Sequence, residues 1–404
     1  MKKLDFFFLV LSIFFSCEQT RDPLTLLIEG DERLGLIAAD PQFEVQVIYT
    51  QIDRDSANNP GFITYSYQLD DSKYFYPAST VKLPAVLASL EKMNRLDIPA
   101  NARMEIDSAF SGQSTVTIDS SAANLEPSVA QYTKKILLIS DNDAHNRLYE
   151  FLGQDAFNQR MNSGGYPLTR MSHRLSIFLS PEENARTNPM RFYVKDSLVF
   201  AQEQQVATRD YVSEIPIKRG VGYQSKGEIV NEPFDFSRKN NYPLREQHEL
   251  MKALIFPESF PERAFDLRPE DRKMVLKYMS MVPGKSEIEE YRDPEHYWDT
   301  YVKFLMYGSV PDVQIPDNIK IYNKVGNAYG YAIDNAYIID TDRGVEFILS
   351  ATIHANPNRV FNDGIYGYDN VAFPFLARLG QLVYEMEVDR PRAFLPDFSD
   401  VLIP

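Results

Sequence analysis

Ser79 and Lys82 are spaced as Ser-x-x-Lys, a pairing that can turn a serine hydroxyl into a nucleophile. A serine hydroxyl is a poor nucleophile near neutral pH and needs an adjacent base. Three positions along a helix bring two side chains onto one face, so the lysine amine can reach the serine oxygen. The amine must first lose its proton, which burial and neighbouring charge promote. The spacing therefore indicates a candidate for acyl transfer through an activated serine.

The spacing alone does not identify a site, because Ser89 and Lys92 repeat it ten residues later. We expect that second pair to be an ordinary exposed one. Ser79 differs because a strand-and-turn segment, residues 75–78, passes there into a helix predicted from about 80 to 95. A serine at this point can lie at a helix N-terminus and face a cleft. The alternative interpretation is that Ser79 only caps the helix.

Two further polar elements occur later in the chain. Ser140 and Asn142 belong to a Ser-Asp-Asn turn that can relay a proton and bind a substrate carbonyl, although a plain capping turn between two helices is the other interpretation. Lys324 and Gly326 lie on a predicted strand. A lysine there supplies positive potential, the glycine lets the backbone approach a ligand, and an adjacent N–H can stabilise an oxyanion. Neither element is informative alone.

Taken in order, the three elements resemble the Ser-x-x-Lys, Ser-Asp-Asn and Lys-Thr-Gly set of class A β-lactamases and penicillin-binding proteins. Residues 76–84 resemble the nucleophile helix of that family, residues 138–148 its central turn and helix, and residues 187–189 the end of its omega loop. The resemblance covers about 40–200 and 268–390.

The resemblance implies a role for each matching position. Ser79 would be acylated after Lys82 takes its proton, and Ser140 would pass a proton to the leaving nitrogen with help from Lys324. Asn142 would hold the substrate amide and the amine of Lys82. An oxyanion hole would be formed by backbone N–H groups, and the positions lining it would be Ser79, Gly326 and Asn327.

Two departures from the family pattern predict weak β-lactam turnover. The family threonine that helps to bind the substrate carboxylate is Val325 here. The omega-loop glutamate, which is the base for deacylation, has no clear counterpart within 170–184. Glu182 and Glu183 lie too close to Pro189 to align with it, and we interpret them as solvated loop acids.

The elements that must position these residues predict an α+β (mixed α/β) fold. Apolar–polar alternation within 43–69 and three strand-like segments after residue 319 imply an antiparallel sheet. This β-lactamase-like sheet would be built from N- and C-terminal segments and flanked by helices, with an additional all-helical subdomain. The hydrolase domain is predicted over 41–395, with a polar, Pro- and Gly-rich insertion at about 203–266 that we expect to be peripheral.

The first residues resemble a bacterial lipoprotein leader. A basic start and an apolar stretch, residues 6–16, precede Cys17, the only cysteine of the chain. The stretch is too short to span a bilayer as a helix. The residues before Cys17 resemble a lipobox with Phe14 in place of its usual leucine, although a buried, unmodified thiol is the alternative. We predict a signal peptide over 1–17, lipidation of Cys17, a linker or a short preceding helix over 18–40, and export to the periplasm or cell envelope on a membrane anchor.

Composition narrows the function classes. The chain has 404 residues, 44% hydrophobic and 25% charged, which is typical of a soluble globular protein. A formal net charge of −15 disfavours binding to nucleic acid. The five histidines show no metal-ligand spacing, and His145 is interpreted as a structural helix residue. No metal or other cofactor is predicted, and the membrane is a partner only through the lipid anchor.

Three functions stay open at this point. The leading one is a serine hydrolase that acts on a β-lactam or a related amide or ester. The second is a cell-wall peptidase, esterase or penicillin-binding protein with poor deacylation. The third is a non-catalytic lipoprotein that binds a ligand. The expected substrate is a small molecule or a fragment derived from the cell wall.

Overall fold

The computed structural model describes residues 22–110 and 113–403. The predicted signal peptide (1–17) and Cys17 lie outside these residues, so cleavage and lipidation stay predictions from the sequence. In the part of the chain that is described, no helix is long and apolar enough to cross a membrane.

Helices and strands alternate irregularly along the described chain. The helices are α1 (Pro23–Gly30), α2 (Glu32–Ala39), α3 (Lys82–Arg95), α4 (Val129–Ile139), α5 (Asn142–Leu152), α6 (Gln154–Ser163), α7 (Pro181–Asn184), α8 (Leu244–Ile255), α9 (Pro269–Ser280) and α10 (Phe373–Asp389). The strands are β1 (Gln46–Arg54), β2 (Pro60–Tyr67), β3 (Arg103–Ile106), β4 (Met190–Val194), β5 (Ser197–Gln202), β6 (Lys218–Arg219), β7 (Gly222–Ser225), β8 (Glu228–Val230), β9 (Phe234–Asp235), β10 (Ile319–Ala328), β11 (Tyr331–Asp340), β12 (Val345–His354) and β13 (Val360–Phe361).

The central sheet has five strands in the order β10-β11-β12-β1-β2, and every neighbouring pair is antiparallel. It joins an N-terminal hairpin to three C-terminal strands, which confirms the predicted α+β fold. Smaller sheets are formed by β3-β4-β5, β13-β7-β8 and β6-β9. Because β10 is an edge strand of the central sheet, its outer side is open to other elements. The segment that contains Ser79 takes that place.

Two apolar layers cover the faces of the central sheet. On one face, α1, α2 and α10 pack against odd-numbered residues of β10 such as Ile321 and Val325. On the other face, α3 to α6, α8 and α9 form a larger cluster that includes Tyr322 of β10. The alternation of side chains along a strand sends successive residues to opposite layers. The candidate site therefore lies where the helical layer meets the edge of the sheet.

Within the segment 18–40, residues 23–39 form α1 and α2, so the helical alternative is correct there and the linker is not. Asp22 caps α1, because its carboxylate accepts a hydrogen bond from the backbone N–H of Leu24 at 3.0 Å. Leu24 and Ile28 stand one helical turn apart and are fully buried against the sheet. The apolar spacing and the cap together make this segment part of the core.

The segment 203–266 is only partly peripheral. It holds four short strands, but its last part is α8, residues 244–255, which packs on the central sheet. The buried ring of His248 hydrogen-bonds Thr50 Oγ1 at 2.7 Å and Ser350 Oγ at 2.9 Å, so α8 contacts β1 and β12. The peripheral position predicted for 203–266 is therefore wrong for 244–255. Its polar side chains find buried partners on the sheet, which composition does not reveal.

Candidate active site

Ser79 lies in a tight turn rather than inside a long helix. It is the second residue of a 3-10 helix, Ala78–Val81, which leads directly into α3. Ala78 has a φ of 48°, a left-handed conformation that is uncommon for a residue other than glycine. Thr80 Oγ1 donates to the carbonyl of Pro77 at 2.7 Å and holds the turn. Ser79 itself is half-buried, so solvent and a ligand can reach it.

Lys82 is fully buried on the first turn of α3. Its Nζ donates to the carbonyl and the Oγ of Ser140, the latter at 3.1 Å, and to Asn142 Oδ1 at 2.7 Å. Burial, and then the charge of Lys324, hold the pKa of the Lys82 amine well below its usual range. The predicted contact between Lys82 Nζ and Ser79 Oγ is not a hydrogen bond here, since the amine is directed at Ser140 and Asn142. An amine with a lowered pKa is nevertheless suited to accept a proton.

Ser140 and Asn142 occupy the turn between α4 and α5. Ser140 ends α4 with a φ of 61°, and Asp141 caps α5 by accepting a hydrogen bond from Ala144 N at 2.7 Å. The turn is therefore a capping turn, as the simpler interpretation proposed. It also presents the Ser140 hydroxyl and the Asn142 amide to Lys82, while the proton relay and the binding of a substrate carbonyl stay predictions.

Lys324 approaches the same hydroxyl from the sheet. Its Nζ donates to Ser140 Oγ at 2.8 Å and to the carbonyl of Val325 at 2.9 Å. Burial lowers the pKa of Lys324 to about 7, although the nearby Asp334 carboxylate acts in the opposite direction. Two buried lysines therefore converge on one serine oxygen. The structure brings Lys82, Ser140, Asn142 and Lys324 together from three separate elements, which are α3, the turn between α4 and α5, and β10.

Gly326 brings the edge strand against the turn that holds Ser79. A Cβ atom added at Gly326 would lie 2.8 Å from both Pro77 O and Ser79 N, and 3.0 Å from Thr80 N. No side chain fits at such distances from backbone atoms. Gly326 therefore lets β10 lie directly against the Ser79 turn, and the side chain of the next residue, Asn327, is exposed.

Gly326→Ala is expected to lower the rate of Ser79 acylation by about 10²-fold, because β10 and the 3-10 helix must move apart to admit the methyl group. The rate of labelling by a fluorophosphonate measures the effect. Gly30→Ala is the matched control, since an added Cβ there meets nothing within 4 Å. A Gly326→Ala protein that is labelled at the normal rate would contradict the close approach.

Val325 does not line the site. Lys324 and Gly326 share the face of β10 that meets the helical layer. Val325 is buried in the apolar layer on the opposite face of the sheet. The position that the family pattern fills with threonine therefore offers no hydroxyl to a substrate carboxylate.

A buried polar cluster behind Lys324 was missed by sequence reasoning. Lys303 Nζ donates to Met279 O at 2.7 Å, Ile321 O at 2.8 Å and Asn323 Oδ1 at 2.7 Å. Asn323 in turn donates to Asp334 Oδ1 at 2.9 Å. Burial lowers the pKa of Lys303 and raises that of Asp334. A signal was present, because Asp334 and Asn335 interrupt a mostly apolar strand.

Lys324→Met is expected to raise the free energy of unfolding at pH 6 by about 1–4 kcal/mol while it slows acylation. The pKa of Lys324 is near 7 in the folded protein and near 10.5 in the unfolded chain. Below pH 7 the folded protein holds Lys324 as a buried ammonium, and the desolvation of that charge lowers the free energy of unfolding. Between pH 7 and pH 10.5 Lys324 is neutral in the folded protein and protonated in the unfolded chain, so the free energy of unfolding rises with pH. The difference in the free energy of unfolding between Lys324→Met and the parent protein should therefore decrease from pH 7 to pH 10.

Urea unfolding at pH 6 and pH 10 tests this prediction. Lys226→Met, which changes an exposed lysine in the β7–β8 hairpin, is the control and should show no comparable gain. A Lys324→Met protein less stable than the parent at pH 6 would show that the hydrogen bonds of Lys324 outweigh its desolvation.

The stretch 170–189 lies beside α5. Asn146 fixes it, because the side-chain amide donates to Leu175 O at 2.9 Å and accepts from Leu175 N at 2.8 Å. Glu182 is fully exposed, and the Glu183 carboxylate accepts a hydrogen bond from Ser180 N at 2.7 Å in a capping box. Neither acid is directed at the lysines, as expected for solvated loop acids.

His145 is buried three positions after Asn142, on the same face of α5. Neither ring nitrogen has a hydrogen-bond partner among the described residues. Burial, and then the charge of Lys82, keep the pKa of His145 well below its usual value, so the ring is neutral. The burial of His145 agrees with the structural role predicted for it. Two ring nitrogens without hydrogen-bond partners are nevertheless unusual for a core histidine.

The second Ser-x-x-Lys pair is not the exposed pair that we expected. Ser89 is fully buried in the middle of α3. Lys92 Nζ donates to Gln202 Oε1 at 2.6 Å and lies 4.1 Å from the ring centroid of Phe151. This pair is therefore part of the packing of the helical layer, and the expectation of exposure is wrong.

Comparisons with known proteins identify the family and agree with the fold. A family model described as the Beta-lactamase enzyme family matches residues 33–386. The chromosome-encoded β-lactamase of Vibrio parahaemolyticus has 14% identity and a TM-score of 0.50, with 90% of this chain and 100% of that chain covered. A class A β-lactamase described as the last common ancestor of Gram-negative bacteria has 13% identity and a TM-score of 0.50, with 89% and 99% covered. No curated protein matches the chain in sequence.

Proposed function

The chain belongs to the beta-lactamase enzyme family, and from that premise we propose that it is a serine hydrolase that forms an acyl-enzyme on Ser79. The observation that carries the proposal is the convergence of two buried lysines on Ser140 Oγ, at 3.1 Å from Lys82 and 2.8 Å from Lys324. A half-buried serine hydroxyl stands one helical turn before Lys82. Acyl transfer needs this combination of nucleophile, base and proton relay.

The proposed reaction begins when Lys82 Nζ takes the proton of Ser79 Oγ as that oxygen attacks a substrate carbonyl. The N–H groups of Ser79 and Asn327 would stabilise the oxyanion. Ser140 Oγ would then give a proton to the leaving nitrogen or oxygen, and it is reprotonated through Lys82 or Lys324. Asn142 would hold the substrate amide. The bond to the leaving group breaks, and an ester on Ser79 results.

The substrate class follows from the same residues. We propose a β-lactam or a related amide or ester, met in the cell envelope if residues 1–17 direct export. A cell-wall peptidase, esterase or penicillin-binding protein with slow deacylation is the second candidate. The observation that favours it concerns the two acids of the 170–184 stretch. Glu182 is exposed and the Glu183 carboxylate accepts a hydrogen bond from Ser180 N, so neither is available as a base for deacylation.

A non-catalytic binding protein explains the geometry less well. Burying a lysine is costly unless its charge is neutralised or compensated. Lys82 and Lys324 are both buried and lie near each other, and the charge of Lys324 lowers the stability of the charged form of Lys82. A binding module gains nothing from that arrangement, whereas a hydrolase gains a base.

Intact-mass analysis tests the proposal. The purified full chain should gain one fluorophosphonate adduct, and one penicilloyl adduct after exposure to benzylpenicillin. Ser79→Ala should gain neither. Ser89→Ala is the matched control, because Ser89 has the same spacing to a lysine, and it should still be labelled. Adducts that persist in Ser79→Ala would disprove the assignment of the nucleophile.

A further inference from the structure

A buried aspartate and a buried lysine form a polar cluster on the face of the central sheet opposite to the Lys324 side chain. The Asp334 carboxylate accepts hydrogen bonds from Leu305 N at 3.0 Å and from Asn323 Nδ2 at 2.9 Å. The side-chain oxygen of Asn323 accepts a hydrogen bond from Lys303 Nζ at 2.7 Å. Asp334 and Lys303 are both fully buried. Asn323 therefore bridges two charged side chains inside the protein.

The pairing of β10 with β11 places this cluster directly behind Lys324. Asp334 stands opposite Val325, the residue after Lys324, and Asn323 is the residue before Lys324. Side chains alternate along a strand, so Asp334 and Asn323 share one face of the sheet and Lys324 projects from the other. All of these side chains are buried. Because buried charges are screened much less than exposed ones, the Asp334 carboxylate acts on the Lys324 ammonium through the backbone of the sheet.

Charged and titratable groups face Lys324 from several elements. Burial lowers the pKa of Lys324 to about 7; the carboxylate of Asp334 on β11 opposes this shift, and the charge of Lys303 adds to it. On the other face of the sheet lie Lys82 of α3 and His145 of α5. Burial, and with it the charge of Lys324, lowers the pKa of both. Asp334 thus supplies the negative charge that favours the ammonium form of Lys324.

We propose that the Asp334 carboxylate favours the protonated form of Lys324 while Lys324 Nζ donates to Ser140 Oγ at 2.8 Å, so that Asp334 is a positioning residue of the Ser79 site. This inference rests on the proposed function, since the proton held by Lys324 replaces the one that Ser140 gives to the leaving group. In that step an N–H bond of Lys324 breaks and the O–H bond of Ser140 forms again. Lys324 becomes a neutral amine, and the proton that Lys82 took from Ser79 restores it through Ser140 Oγ, which both amines contact.

Titration of Lys324 by NMR tests the charge coupling without any turnover. The protein carries Ser79→Ala and ¹³C at the Cε atoms of its lysines, and the Lys324 signal is assigned by its loss in Lys324→Met. Asp334→Asn should lower the pH midpoint of this signal by about 1 unit, because the ammonium loses a nearby carboxylate. Asp340→Asn is the matched control, since the buried Asp340 also accepts backbone N–H groups but lies at the far end of β11. It should leave the midpoint unchanged.

An exchange of the two bridging side chains separates charge from packing. Asn323→Asp/Asp334→Asn keeps one carboxylate in the cluster and places it against Lys303 Nζ, so the midpoint of Lys324 should return close to the parent value. A midpoint that stays low in the exchange, or one that does not move in Asp334→Asn, would overturn the proposal. If Asp334→Asn is unfolded by circular dichroism, Asp334→Asn/Lys303→Met replaces it, because that pair leaves no unpaired charge in the cluster. The midpoint should still fall there, since Asp334 acts on Lys324 more strongly than Lys303 does.

Acylation by benzylpenicillin tests whether this charge serves the Ser79 site. The rate of adduct formation, followed by intact mass, should decline above the pH at which Lys324 loses its proton. Asp334→Asn should move that decline to lower pH by the same amount as the NMR midpoint. A shifted midpoint with an unshifted decline would refute the positioning role and leave the acyl-enzyme intact. No adduct on the parent protein, with the midpoint shifted, would refute the hydrolase and leave the charge coupling standing.

Discussion

Replacing Lys82 with methionine is expected to lower the rate of Ser79 acylation by about 10²–10⁴-fold, the usual contribution of a general base. Methionine has similar length but cannot accept a proton. Lys82 is fully buried, and its amine is held by Ser140 and Asn142 near the turn of Ser79. Stopped-flow or intact-mass measurement of fluorophosphonate labelling gives the rate. In the parent protein the rate should rise with pH as Lys82 loses its proton, and the variant should lack that rise.

Lys92→Met is the matched control, because Lys92 has the same spacing to a serine but faces Gln202 and Phe151. It should acylate at nearly the parent rate. Circular dichroism should show Lys82→Met folded, since the change removes a desolvated amine from the interior. A folded Lys82→Met protein that acylates within about threefold of the parent rate would exclude Lys82 as the base assigned here.

The second large effect concerns the fate of the acyl-enzyme. A penicilloyl group on Ser79 is expected to persist, with hydrolysis slowed by about 10²–10⁴-fold relative to an enzyme that has a deacylation base. The exposed carboxylate of Glu182 and the capping carboxylate of Glu183 are the acids closest in sequence to the expected position. Neither is placed to direct a water molecule at the ester. Mass spectra taken over hours after removal of free penicillin measure the lifetime of the adduct.

Glu182→Gln serves as the control for the deacylation prediction and should leave the lifetime of the adduct unchanged. Rapid multiple turnover of penicillin by the parent protein would contradict the prediction. If Glu182→Gln or Glu183→Gln then abolished that turnover, the acid concerned would be the base. A turnover unaffected by either change would direct attention to another group of α5, such as His145, whose ring nitrogens have no hydrogen-bond partner among the described residues.

The parts of the site that were predictable depend on local sequence. Ser79 and Lys82 are one turn apart, and Ser140 and Asn142 share a capping turn, so short-range geometry fixes each pair. The sheet was predictable because β1, β2 and the C-terminal strands alternate or are continuously apolar. That Lys324 would meet Ser140 followed from the resemblance to a family and not from spacing.

The parts that were missed depend on partners far away in sequence. Lys303 and Asp334 look like ordinary charged residues in the sequence; in the fold, Asn323, the last turn of α9 and the turn at 302–305 surround them. The sequence of α8 is polar, but His248 hydrogen-bonds groups on strands that lie about a hundred residues or more away. Tertiary contacts decide such positions, and a single sequence does not contain them.

The order of the strands has a consequence for the folding of the protein. Gln46 of β1 pairs with Thr352 of β12, a separation of 306 residues (352 − 46), and β12 lies between β1 and the strand pair that carries Lys324. Contacts over such separations form late, because a long loop must close first. A chain in which β12 has not yet joined the sheet cannot close it or bring Lys324 to Ser140. Ser79 is therefore expected to stay inert towards acyl donors until the pairing of β12 with β1 is complete.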